Sequence, residues 1–196
     1  MISNTSTARL AFVLAAFAAT PALAHVGVGA TSGFVSGFEH PMFGPDHLLA
    51  MVSVGLWAGM VGGAALWVWP AAFVGVMAIG GVMGMAGVPI PFVEPGILAS
   101  VIVLGLAVAL AVRAPVWLGA VLIGVFALFH GHAHGTEIPE TAAGIEYLAG
   151  FALATAILHG VGIALAIGAT RSGLSAYVIR AVGAAVAVAG VALAAG

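Results

Sequence analysis

The chain has no cysteine and no lysine. Without thiols it can form neither disulfides nor thiolate metal sites. Four arginines, Arg9, Arg113, Arg171 and Arg180, are its only fixed side-chain cations, so there is no basic surface for nucleic acid. Charged residues make up 5% of the 196 positions, and 63% are hydrophobic. Soluble domains are roughly 45–50% apolar; this excess, with a mean hydropathy of +1.27, identifies a chain whose solvent is a lipid bilayer. A phosphate-binding G-x-x-x-x-G-K loop is missing, so any ATP coupling has to come from a partner. No H-E-x-x-H helix is present either, which removes the usual signature of a zinc hydrolase.

The few ionisable groups are not scattered. Five of the seven histidines and four of the six carboxylates fall in Glu39–His47 (EHPMFGPDH) and His130–Glu140 (HGHAHGTEIPE). Ionisable side chains are costly in a lipid-facing chain, and clustering implies joint use. Imidazole plus carboxylate without thiol is a ligand set for nickel, cobalt or zinc, and those donors do not separate the three. Met42 and Met51 leave copper open, although methionine is also ordinary filler.

The expected architecture is all-α: a polytopic, six-helix transmembrane bundle (25–196) after a cleavable signal peptide (1–24). Arg9 supplies a positive start, Leu10 to Ala19 an apolar stretch, and Ala22-Leu23-Ala24 an A-x-A cleavage site. Spans need about 20 largely apolar residues. Six are expected, near Phe43–Gly62, Leu66–Ala86, Pro95–Val112, Pro115–Phe129, Ala142–Ala169 and Leu174–Ala195, with prolines at 41, 45, 89, 91, 95, 115 and 139 punctuating their ends. With residue 25 outside, Arg113, Arg171 and Arg180 all fall at the cytoplasmic side, as the positive-inside rule requires. The same alternation places both His-rich stretches on the outer face, at the start of the first span and the end of the fourth, where they can converge. Small residues four apart (Gly55, Gly59, Gly63; Gly80, Gly84; Gly160, Ala164, Gly168) are expected to let helices pack closely.

His40, Gly44 and His47 stand at i, i+4 and i+7, one face of a helix. Pro41 and Pro45 place the helix start near Gly44, with His40 on the preceding turn and Asp46 in the first turn, where a carboxylate suits the helix dipole. His130 and His134 share a face while His132 points elsewhere; Glu137 joins them only if the chain bends after Gly135. His159 lies well inside the fifth span and should face the interior with a partner; ligand and hydrogen-bonded core histidine, for instance to Thr155, are both open. His25, Glu39, Glu94 and Glu146 are further candidates at the outer ends. Trp57, Trp67, Trp69 and Trp117 read as interfacial or packing aromatics.

The strings HPMFGPDH, LLAMVSVGLWA and FHGHAHGTEIP resemble the HupE/UreJ family of hydrogenase and urease accessory proteins. Its pattern His-Pro-x-x-Gly-x-Asp-His is matched at His40, Pro41, Gly44, Asp46 and His47, and the likeness extends to a His-Gly pair at His159–Gly160. The resemblance implies a permease for nickel, or else cobalt, with the metal destined for hydrogenase or urease; the expected location is the bacterial inner membrane, and the signal peptide and six spans put both termini of the mature chain outside. It implies metal handling by His40, Asp46 and His47, with His130, His132, His134 and Glu137 contributing. No permanent cofactor and no catalytic activity are expected; the partners are the metal ion and the lipid bilayer, with a homo-oligomer or accessory partner open. Two other classes compete: a membrane metal-binding sensor or accessory protein without transport, and an intramembrane metalloenzyme using metal-bound water.

Overall fold

The computed structural model describes residues 33–138, 143–172 and 176–196. The expected signal peptide (1–24), His25 and Glu140 lie outside the described residues. Seven helices and no strand occur among those described: α1 Gly33–Phe43, α2 Pro45–Val61, α3 Ala65–Met85, α4 Val93–Ala109, α5 Val116–Thr136, α6 Gly144–Arg171 and α7 Ala176–Ala195. Four of them, α3, α5, α6 and α7, are long and apolar enough to cross a membrane. The α2 and α4 helices are apolar but have 17 residues each.

Two differences from the sequence expectation bear on the site. His40 was expected on a turn or loop before the first span; in the structure it lies in helix α1, and Pro41 is the third residue from the helix end. A proline there forfeits one backbone bond, to Gly37, and so closes a helix rather than breaking its middle. The fourth span was expected to end near Phe129, but α5 continues through His130–Thr136, so the second His-rich stretch belongs to the same helix.

Packing explains that extension. A Cβ on Gly131 would collide with the Met77 carbonyl, and one on Gly135 with that of Gly81; Gly80 and Gly84 of α3 meet the Leu128 and His132 carbonyls in the same way. Four glycines thus bring the backbones of α3 and α5 together, and that contact outweighs glycine's weak helix propensity. Gly55 and Gly59 do the same between α2 and α6, where they face His159 and Ala166. The expected contact role fails at three positions: Gly160 and Gly168 face open space, and Gly63, with φ +57°, forms the turn after α2.

Helices α1 and α2 are separated by one residue, Gly44, in extended conformation, with Pro45 opening α2. Proline suits that first position because its missing N–H would be unpaired there anyway. At the far end of α2, the Trp57 indole N–H donates to Val112 O at 2.8 Å, and Trp69 of α3 donates to Val116 O at 2.8 Å. Trp57 and Trp69 are therefore buried packing aromatics that tie down the α4–α5 connection, while Trp67 and Trp117 are exposed.

Candidate metal site

The start of α2 and the end of α5 meet. His47 is 2% exposed and His130 is fully buried. His130 Nδ1 lies 3.0 Å from His47 Nε2, and His134 Nε2 lies 3.0 Å from the same His47 atom. Both neighbours cross His47 nearly edge-to-face, with centroids 4.2 and 4.1 Å away. At the inner end Ser100 Oγ of α4 is 2.7 Å from His130 Nε2. At the outer end Glu137 Oε2 is 3.5 Å from His134 Nδ1 and 3.6 Å from His40 Nε2. The side chains run Ser100–His130–His47–His134–Glu137, with His40 beside the last two. His40, His134 and Glu137 each offer a donor atom within 4.8 Å of the others, compact enough to hold one ion.

Glu137 caps α5, and the bend required after Gly135 is supplied by its position just past the helix end. A hydrogen on the His134 ring is the chief influence holding this carboxyl below the ordinary range, ahead of the charges on His134 and His40, while burial opposes it. By distance the contact is long, and His134 Nδ1 has no hydrogen-bond partner. His40 is held below the ordinary imidazole value by burial first and by His134 second; Glu137 and Asp46 pull the other way. Both groups therefore favour a neutral imidazole beside an ionised carboxylate, the state that binds a cation.

The remaining candidates are placed differently. Asp46 accepts the backbone N–H of His47 at 2.8 Å, and its carboxylate stands 4.0 Å from the His47 ring at the rim of the cluster. His132 faces away from the line, and its Nε2 bonds the Val88 carbonyl at 2.7 Å. Glu39, Glu94 and Glu146 are exposed and outside the three-residue ligand group. His159 is buried without a hydrogen-bond partner for either ring nitrogen, so the expected bond to Thr155 is not made; it packs edge-on against Phe73, whose ring also neighbours His130.

Sequence reasoning missed Ser100 and the aromatic wall. Phe151 of α6 has its ring centroid 4.5 Å from that of His134 and 5.4 Å from that of His47. Tyr147 borders His40. These rings exclude water from the line, which strengthens every electrostatic interaction within it. Ser100 carried a readable signal, as the single hydroxyl in the apolar helix α4. The aromatics carried none, because one ring per helical turn is ordinary core composition.

An all-helical, multi-pass membrane protein with a buried imidazole line ending in a carboxylate is the class defined here. The HupE / UreJ protein family model matches residues 12–193, and the chain belongs to that family. It is similar to Protein HupE of Rhizobium leguminosarum bv. viciae, with 49% identity over 177 residues, covering 89% of this chain and 92% of that one. No solved structure matches.

Proposed function

We propose that the protein is a permease carrying a divalent transition metal, nickel before cobalt, across the bacterial inner membrane for hydrogenase or urease maturation. The observation that carries this reading is the line of three imidazoles crossing from α2 to α5 and closed by His40 and Glu137. Such nitrogen-rich, thiol-free donors suit nickel and cobalt. Membership of the HupE/UreJ family supports the same assignment.

In this reading α2 and α4 complete six spans. At 1.5 Å per residue, 17 residues give about 26 Å, slightly short of a hydrocarbon core of about 30 Å. Ten of the 17 residues of α2 are buried, so protein rather than lipid covers most of it. The histidine line lies at the outer end, with Arg113 and Arg171 at the cytoplasmic end. The ion is captured by His40, His134 and Glu137, passes to His47 and His130, and moves on past Phe73 toward His159. Asp46 at the rim adds negative potential where the cation enters.

Radiolabelled nickel accumulation in cells tests the reading. Wild type is expected to accumulate nickel above cells lacking the protein; no uptake of any divalent metal would overturn it. Proton competition provides a second measurement. An imidazole must be neutral to bind metal, and burial lowers the His40 value below 6.5, so its neutral form persists below that pH. Uptake is therefore expected to hold nearly level from pH 7.5 to about 6.5 and to fall steeply between there and pH 5. Uptake unchanged across the whole range would count against histidine ligation.

A further inference from the structure

Ser100 fixes more than a contact. Its side chain is fully buried, and its Oγ lies 2.6 Å from the Ile97 carbonyl oxygen and 2.7 Å from His130 Nε2. A hydroxyl has one proton to give, and a carbonyl can only accept. At 2.6 Å two oxygens without a proton between them would repel, so the hydroxyl proton lies on the Ile97 bond. Ser100 then presents only a lone pair to His130, whose Nε2 must carry the hydrogen. A neutral imidazole has one N–H, so His130 Nδ1 is bare and faces His47 at 3.0 Å.

We propose that Ser100 is a positioning residue that sets the tautomer of His130, turning the lone pair of its Nδ1 toward His47 and the ligand cluster. His130 Nδ1 stands over the edge-on His47 ring, 3.0 and 3.3 Å from its two nitrogens, so the His47 N–H, which lies in the plane of its own ring, is not aimed at it. That lone pair is therefore left for a cation. With the opposite tautomer a hydrogen would occupy Nδ1, and His130 could not serve as a ligand through that nitrogen. Ligand-orienting partners of this kind decide which nitrogen binds a metal.

The test is 15N solid-state NMR of the histidine-labelled full-length protein in lipid nanodiscs, with His130 assigned against His130→Gln. Wild-type His130 is expected as a single Nε2–H tautomer. Ser100→Thr should preserve it, and Ser100→Ala should give a mixture containing Nδ1–H. In the same samples Ser100→Ala is expected to bind Ni2+ about 10–100-fold more weakly, the usual effect of losing a ligand's orienting partner. A wild-type His130 bearing its hydrogen on Nδ1 would overturn the proposal even if Ser100→Ala does not fold. So would an unchanged tautomer or unchanged affinity in a folded Ser100→Ala. Only the affinity arm rests on the permease reading: failed nickel uptake refutes that reading and leaves the tautomer result standing.

Discussion

Nickel uptake in cells producing His47→Ala is expected to fall to the background of cells lacking the protein. His47 alone touches both other rings of the line, and its loss separates His130 from His134. The expected fall exceeds about 100-fold, beyond the 10–100-fold typical when only a ligand's orienting partner is removed. The informative companion is His132→Gln. His132 belongs to the same His-rich segment but bonds the Val88 carbonyl, and glutamine retains a donor for that oxygen. Normalised to protein in the membrane, this variant should transport within about twofold of wild type, because no buried acceptor is left unpaired. Equal losses in both variants would mean that the segment acts by composition and not through the side of the helix that each ring occupies. Uptake by His47→Ala at the wild-type level would remove the site.

The second large effect is on folding. Gly131→Val places a branched side chain where a single Cβ would already collide with the Met77 carbonyl. Backbone cannot yield as a flexible side chain can, so the expected loss is about 3 kcal/mol or more, at the upper end for overpacked positions. The readout is accumulation in the membrane and the unfolding midpoint in detergent. Gly160→Ala is the control, since that position faces open space; it should be neutral or stabilising by about 0.5–1 kcal/mol, because alanine is the better helix former. A Gly131→Val protein as stable as wild type would contradict the tight α3–α5 contact.

The sequence made one geometric relation legible: the segments around His47 and His134 were expected on the same side, because four spans, an even number, run from the start of the first helix to the end of the fourth. It also showed that His130 and His134 share a helical side and that His132 does not. It misplaced α1 and the end of α5 for a common reason. Pro41, Gly131 and Gly135 are breakers by local propensity, and they are helical here because of contacts made in three dimensions. Pro41 closes a helix whose Gly37 packs on Tyr147, and the two glycines of α5 meet α3. The link to Ser100 could not be read from spacing, since Ser100 and His130 are thirty residues apart and on different helices.

Closest packing in the bundle pairs α3 with α5 and α2 with α6. His130 and His134 belong to the first pair and His47 to the second, so the imidazole contacts bridge the boundary between two closely packed helix pairs. A cation coordinated from both banks would therefore also staple one pair to the other.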